Sequence, residues 1–284
     1  MTPTPSPHRR TTRLRRTCAA LVLGTLATVP VEAAAATDAE TGRAPQGKPT
    51  VVLVHGAWAD SSSWTGVVRR LQTDGYDVIA PANPLRSLAS DSTYLTDLLD
   101  TIDGPVVLVG HSYGAAVISN AAAHDADVKA LVYINGSVPD EGDAVGPLAG
   151  PDSALSVADP TTIFTFVPGT LPPTPGSDVY LRKSTFLASF ATGLAPRAAT
   201  TLWATQKPIT LGALNEPATA AAWRTHPSWY LVGTKDLVIP PSAQHQLARR
   251  AGSTVAHFNA GHLGLITKPA PVVRIIERAD RATR

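Results

Sequence analysis

Residues 106–114 read VVLVGHSYG, and an apolar helical pattern continues from Ala115. A short aliphatic run, a serine between two glycines and a helix form the G-x-S-x-G arrangement, which presents the serine oxygen on a sharp turn at a sheet edge. The glycines at positions 110 and 114 matter because side chains there would collide with the strained turn. The stretch therefore predicts Ser112 as a nucleophile. A tight turn without chemistry is the alternative interpretation.

Outward from this turn, aliphatic runs alternate with amphipathic stretches. Strands are predicted at 50–54, 77–80, 106–109, 128–134, 229–232 and 254–258, and helices at 62–73, 90–102, 113–124, 241–251 and 271–279. Nearly continuous apolar strands that alternate with helices are typical of a parallel sheet covered on both faces. The predicted fold class is therefore α/β, with a mostly parallel sheet and helices on both faces.

The alternation stops between about residues 138 and 225. This stretch is rich in proline and has short helical patterns at 184–192 and 217–223. It is too long for an ordinary loop. We expect one catalytic domain over 50–284, in which 138–225 is inserted as a cap over the sheet edge.

A serine nucleophile needs a base, and the base needs a carboxylate partner. His262 lies in the loop AGHLG directly after the last predicted strand, and Asp236 follows the strand before it. Loops at the carboxyl ends of parallel strands meet at one edge, so both side chains are expected near Ser112. Asp140 or Glu141, after the strand 128–134, is the alternative acid.

Backbone donors for a developing oxyanion are expected in two places. One is the N–H of Tyr113, next to the predicted nucleophile, and the other is the N–H of Ala57 in the segment HGAW at 55–58. Gly56 allows the tight turn that frees this N–H group, and His55 is expected to fix the loop rather than to act as a base. Trp58 is expected either to line the substrate pocket or to pack beneath it.

Four segments in this order carry a resemblance to a known family: VVLVHGAW at 51–58, VLVGHSYG at 107–114, GTKD at 233–236 and AGHLGL at 260–265. They resemble α/β-hydrolase fold esterases. The likeness is greatest to the compact branch that holds plant methyl-ester hydrolases, hydroxynitrile lyases and bacterial carboxylesterases, including pyrethroid-type enzymes. It spans about residues 50–279.

The resemblance implies Ser112 as nucleophile, His262 as base, Asp236 as acid, and the N–H groups of Ala57 and Tyr113 as the oxyanion hole. At two positions this chain differs from other enzymes of the same fold, and each difference argues against one activity. Leu263 stands where the hydroxynitrile lyases have a lysine next to the catalytic histidine, which argues against cyanohydrin cleavage. Ser112 stands where dehalogenases of this fold have an aspartate. The inserted segment matches no single subfamily, so the resemblance leaves the substrate open.

These features predict a serine esterase that acts on a small-molecule ester. The alternatives are a cofactor-free haloperoxidase or perhydrolase, and a ligand-binding protein on a hydrolase scaffold. We expect no cofactor and no metal, because metal-ligand spacing and Gly-rich dinucleotide loops are missing from the sequence. The pocket is expected to be apolar; its predicted lining residues are Trp58, Tyr113, Phe164, Phe166 and Trp203.

The first 36 residues have the layout of an export signal. They hold five arginines and one acid, then an apolar run over 18–31 and four alanines ending at Ala36. The run of about 14 residues is shorter than the roughly 20 that span a membrane, so cleavage is favoured over a stable anchor. Residues 37–49 are expected to form a flexible leader, and the export route is left open.

Removal of the predicted signal peptide changes the inferred charge and thiol content. The formal charge of +2 becomes about −2, so no nucleic-acid partner is expected. Cys18 is the only cysteine and lies within the removed segment. We therefore expect a secreted protein without a disulfide. The sequence does not indicate an oligomeric state.

Overall fold

The computed structural model describes residues 47–284, and the predicted signal peptide and most of the predicted leader lie outside them. The strands are β1 Thr50–Val54, β2 Val78–Ile79, β3 Val106–His111, β4 Val128–Ile134, β5 Phe164–Val167, β6 Asp178–Leu181, β7 Ile209–Thr210, β8 Ser228–Gly233 and β9 Thr254–Phe258. The helices are α1 Thr65–Thr73, α2 Leu88–Leu99, α3 Tyr113–Ala121, α4 Lys183–Thr185, α5 Pro196–Ala204, α6 Leu211–Asn215, α7 Pro241–Arg250, α8 Gly264–Thr267 and α9 Pro269–Thr283.

Six strands form the main sheet in the order β2-β1-β3-β4-β8-β9, and all of its pairings are parallel. Its central strands are aliphatic and almost completely buried. Helix α1 packs with α9, and α2 packs with α3, so that helices flank the sheet. The predicted α/β class is confirmed. Parallel strands buried on both faces give continuous apolar runs, which is why the sequence signal is clear.

Several predicted bounds differ from those of the structure at their ends. Helix α2 begins at Leu88 rather than at residue 90, because the Ser87 side chain caps it by accepting a hydrogen bond from the Ser90 N–H. A 3-10 turn at Ser61–Trp64, capped by Asp60, precedes α1. The predicted strand at 77–80 is reduced to the two residues of β2.

The stretch 138–225 contains structure that the sequence patterns did not predict. Strands β5, β6 and β7 form a small antiparallel sheet, and α5 is an additional helix. The predicted helix at 184–192 is α4 followed by a π-helical turn at Phe186–Phe190. The helix predicted at 217–223 is wrong over most of its length: Pro217 bridges to Ala144, and only a 3-10 turn at Ala222–Arg224 is helical.

Within residues 47–284, no helix is both long enough and apolar enough to cross a membrane.

Candidate active site

The turn between β3 and α3 holds Ser112 in an unusual backbone conformation. Its φ is 53° and its ψ is −124°, a left-handed value that costs free energy for a residue with a side chain. A Cβ on Gly110 would lie 2.6 Å from the Ala115 Cα, and one on Gly114 would lie 2.4 Å from the Val54 oxygen. Glycine is therefore required on both sides, and Ser112 lies at the amino end of α3.

Ser112, His262 and Asp236 are brought together by loops at the same sheet edge. The Ser112 hydroxyl lies 2.9 Å from His262 Nε2, and His262 Nδ1 lies 2.8 Å from Asp236 Oδ2. All three residues are buried. With the imidazole neutral, Nδ1–H donates to the carboxylate and Nε2 accepts from the hydroxyl. This arrangement can transfer a proton from the serine to the histidine.

The Asp236 carboxylate is held by donors of its own loop and of α7. The Val238 and Ile239 N–H groups donate to Oδ1 at 2.8 and 3.0 Å, and Gln244 Nε2 donates to Oδ2 at 3.1 Å. The Gln244 Oε1 atom also accepts from the Gly233 N–H. Gln244 thus ties α7 to the end of β8. Sequence reasoning missed this glutamine, because nothing in a helical pattern marks one polar residue as buried.

The backbone of the His262 loop is held by two further buried side chains. His111 Nε2–H donates to the His262 carbonyl at 2.9 Å. Asn135 Nδ2 donates to the carbonyls of Gly261 and His262, each at 3.0 Å. Sequence reasoning missed Asn135. Its signal is a polar residue directly after β4, at the edge where functional side chains are expected.

The alternative acids have other contacts. Both Asp140 oxygens accept hydrogen bonds from the Arg224 guanidinium, at 2.6 and 2.8 Å. This contact lowers the pKa of Asp140. Glu141 is exposed. Asp236 is the carboxylate that contacts His262.

His55 lies directly after β1, at the start of the loop that contains Gly56 and Ala57. Its Nδ1–H donates to the Gly56 carbonyl at 2.9 Å, and its Nε2 accepts from the Asn83 N–H at 3.0 Å. Burial lowers the pKa of His55 to about 4. Both ring nitrogens are engaged in fixing the loop, so the contacts agree with the structural role expected for this residue.

The two predicted oxyanion donors belong to residues that border the same cavity as Ser112. Ala57 and Tyr113 both line it. The Tyr113 hydroxyl donates to Asp91 Oδ2 at 2.9 Å, and Asp91 is fully buried. This bond anchors the first residue of α3. The part played by the two N–H groups stays a prediction.

A cavity of about 560 Å³ opens above Ser112, between the sheet edge and the inserted stretch. Most of its wall is apolar, and none of its lining residues carries a charge; the lining includes Val145, Leu155, Phe164, Leu211, Leu214 and Ile239. Its polar borders are serines and Asn215. Such a wall suits an uncharged ligand, because an unpaired charge is costly to bury.

Of the predicted pocket aromatics, Trp58 and Phe164 line the cavity together with Tyr113, and their two rings stack with centroids 5.8 Å apart. Phe166 and Trp203 do not line it, which corrects that prediction. Phe166 is 8% exposed and packs behind Phe164. The Trp203 Nε1–H donates to the carbonyl of Leu181 in the small sheet. Both rings therefore pack within the inserted stretch, away from the cavity.

The chain is similar to known proteins in sequence and in structure. A model of the alpha/beta hydrolase family matches residues 51–275. A carbendazim hydrolyzing esterase of Nocardioides sp. (strain SG-4G) is 33% identical over 107 residues, which are 33% of this chain and 44% of that protein.

Among solved structures, polyneuridine aldehyde esterase superimposes with a TM-score of 0.69 at 18% identity, over 82% of this chain and 99% of that one. A pyrethroid hydrolase of Sphingobium faniae JZ-2 superimposes with a TM-score of 0.63 at 20% identity, over 82% of this chain and 98% of that one. At these identities the likeness establishes the fold.

The pKa of His55 predicts how stability changes with pH. The folded pKa of about 4 lies below the ordinary value of 6.5, so below pH 6.5 the unfolded chain binds a proton that the folded chain excludes. We expect this group to lower the free energy of unfolding by about 2 kcal/mol between pH 7 and pH 5. Urea unfolding at the two pH values measures the change.

The matched variant is His55→Gln, which removes the titrating ring. Its loss of stability between pH 7 and pH 5 should be smaller than that of the wild type. An unchanged pH dependence in the variant, or an NMR titration midpoint of the His55 ring near 6.5, would contradict the prediction.

Proposed function

Because the chain belongs to the alpha/beta hydrolase family, we propose that it hydrolyses carboxylic esters through an acyl-enzyme on Ser112. The observation that carries this proposal is the buried hydrogen-bond chain from Ser112 through His262 to Asp236, with links of 2.9 and 2.8 Å. The likeness to a carbendazim hydrolyzing esterase, to polyneuridine aldehyde esterase and to a pyrethroid hydrolase agrees with this activity.

In the first half-reaction, the Ser112 oxygen attacks the ester carbonyl and its proton passes to His262 Nε2. Asp236 stabilises the imidazolium that results, and the carbonyl oxygen becomes an oxyanion. The N–H groups of Ala57 and Tyr113 are the proposed donors to it, and one well-placed donor contributes roughly 3 kcal/mol. The carbonyl then re-forms, the alcohol oxygen leaves with the proton from His262, and the acyl group stays on Ser112.

In the second half-reaction, water takes the place of the alcohol. His262 accepts a proton from the water as its oxygen attacks the acyl carbon, and the same oxyanion forms. When this intermediate collapses, the bond to Ser112 breaks and the serine recovers its proton from His262. The carboxylic acid leaves, and the protein returns to its starting state.

The cavity supports a substrate class of uncharged esters with an apolar acyl or alcohol group. Its lining combines aliphatic side chains with the stacked rings of Trp58 and Phe164. A carboxylate or ammonium group on the substrate would lose its hydration there without meeting an opposite charge.

We also propose that the protein is exported and that its signal peptide is cleaved after Ala36. The support is the sequence alone: five arginines, an apolar run of about 14 residues and a run of four alanines at 33–36.

Removal of either proton-transfer partner is expected to abolish turnover. Ser112→Ala and His262→Ala should each lower kcat for p-nitrophenyl butyrate by about 10⁴-fold or more, because nucleophile and base act as one unit. Each variant should keep a thermal melt close to that of the wild type. A fluorophosphonate probe should label the wild type at Ser112 and leave Ser112→Ala unlabelled.

Two carboxylates give this experiment a matched control. Asp236→Asn should lower kcat by about 10⁴-fold, whereas Asp140→Asn removes only a contact with Arg224 and should leave kcat nearly unchanged. The reverse pattern would move the acid to Asp140. A wild type that neither reacts with the probe nor turns over any of a panel of esters would favour a ligand-binding protein.

Because the cavity wall carries no charge, we expect the protein to hydrolyse neutral esters faster than esters that carry a carboxylate. The value of kcat/KM for p-nitrophenyl butyrate should exceed that for p-nitrophenyl hemisuccinate, of similar length but with a terminal carboxylate, by about 100-fold or more. Steady-state rates on the two esters measure this ratio. Equal values would contradict the proposed substrate class.

If the signal peptide is cleaved as proposed, the exported protein has a new amino terminus. When the full chain is expressed in a secreting bacterial host, the protein recovered outside the cytoplasm should begin at Thr37, as intact mass and N-terminal sequencing would establish. Retention of the uncleaved chain in the cytoplasm would contradict this proposal without bearing on the hydrolase activity.

A further inference from the structure

Two histidines outside the candidate active site face each other across the edge of the sheet. His245 lies on α7 and His257 on β9, the strand at one edge of the main sheet. Their Nε2 atoms are 3.4 Å apart, whereas their ring centroids are 5.1 Å apart. The nitrogen-bearing edges of the two rings are therefore turned toward each other. His257 is exposed and His245 is half-buried, so solvent reaches the pair.

We propose that this pair binds a first-row transition-metal ion, of the class of Zn²⁺, Ni²⁺ or Cu²⁺, through the two Nε2 atoms. Two imidazole nitrogens on one tetrahedral zinc ion lie about 3.3 Å apart, and the ring centres behind them lie about 5 Å apart. Both distances match those of the pair. For square-planar or octahedral ions, the nitrogens would need to approach to about 2.9 Å.

A hydrogen bond between the rings is the competing explanation for their closeness. Their Nε2 separation of 3.4 Å is longer than the roughly 2.9 Å that is typical of N–H donors. The direct bond is therefore weak, and an ion that replaces it disrupts little.

The residues around the pair limit which ions it binds and how tightly it binds them. Across residues 47–284, no group of three or more His, Cys, Asp or Glu side chains is placed to hold a metal. Water would fill the other coordination positions, and Arg249 adds a positive charge near His245. Imidazole selects Cu²⁺ and Ni²⁺ over the hard Mg²⁺ ion, which prefers oxygen ligands.

A bound ion would join the elements that support the two loops of the active site. Helix α7 also carries Gln244, next to His245, and Gln244 donates to Asp236. Strand β9 leads directly into the loop that holds His262. Because the fold brings the two rings together, an ion that binds both stabilises the folded state. The proposal does not depend on the proposed esterase activity.

The test uses the full chain, purified without a polyhistidine tag and titrated with ZnCl₂, NiCl₂ or CuCl₂ in a non-chelating buffer. Isothermal titration calorimetry should show that Zn²⁺ and Ni²⁺ bind, that Cu²⁺ binds more tightly, and that MgCl₂ gives no binding heat. Saturating Ni²⁺ should raise the Tm by about 2–4 °C. The absence of both binding heat and a Tm shift would overturn the proposal.

Variants separate this pair from other ligands on the chain. His245→Gln and His257→Gln should each weaken Ni²⁺ binding by about tenfold or more and remove the Tm shift. The control His124→Gln changes an exposed histidine outside the pair and should bind as the wild type does. Unchanged Ni²⁺ affinity in His245→Gln and His257→Gln would overturn the proposal, whatever the wild type binds.

Discussion

The close contact of helix α3 with strands β1 and β3 is the constraint on which the rest of the site depends. The Val54 oxygen leaves no room for a side chain on Gly114, and the backbone of Ala115 leaves none on Gly110. The chain must therefore turn sharply between β3 and α3, and this turn forces Ser112 to a φ of 53°. The strain is repaid by sheet and helix packing, since β1, β3 and α3 are almost fully buried. The serine oxygen is exposed to the cavity as a direct result.

Buried polar side chains then fix the loops around this turn. Gln244 holds the Asp236 carboxylate, while His111 and Asn135 hold the carbonyl of His262. The bonds of His111 and Asn135 to the His262 carbonyl join residues that are 151 and 127 positions apart in the sequence. The positions of Asp236 and His262 therefore depend on how α7, β3 and β4 pack against the two loops.

The sequence predicted the parts of this arrangement that follow local rules. Strands β1 and β4 have the predicted bounds because parallel strands buried on both faces produce aliphatic runs that end at polar loops. The edge strand β9 also has its predicted bounds, although most of its residues are partly or fully exposed. The turn at Ser112 was equally clear, because its glycines are required locally. Gln244 could not be recognised, because its burial depends on contacts between distant elements. Asn135 has the signal of a polar residue directly after β4, but its partners, the carbonyls of Gly261 and His262, are more than 120 residues away in the sequence. The sheet β5-β6-β7 and helix α5 were missed for a different reason. These elements are short and lie between prolines, so each has too few residues to show a hydrophobic period.

The residues of the proposed chemistry and those of the proposed substrate pocket lie largely on different parts of the chain. Ser112, Asp236 and His262 follow strands of the main sheet, whose register is set by parallel pairing from β1 to β9. Much of the cavity wall comes instead from the stretch 138–225, including Val145, Leu155 and Leu214. The sheet edge sets the distances between the reacting groups, whereas Val145, Leu155 and Leu214 shape the wall. One residue of the stretch also contacts a reacting group, since the Phe190 ring packs against the His262 ring, with centroids 5.1 Å apart. Proline-rich loops tolerate substitutions, because few of their backbone hydrogen bonds belong to the sheet. On the proposed function, substitutions at wall positions away from His262 would change the preferred ester and keep the proton-transfer geometry.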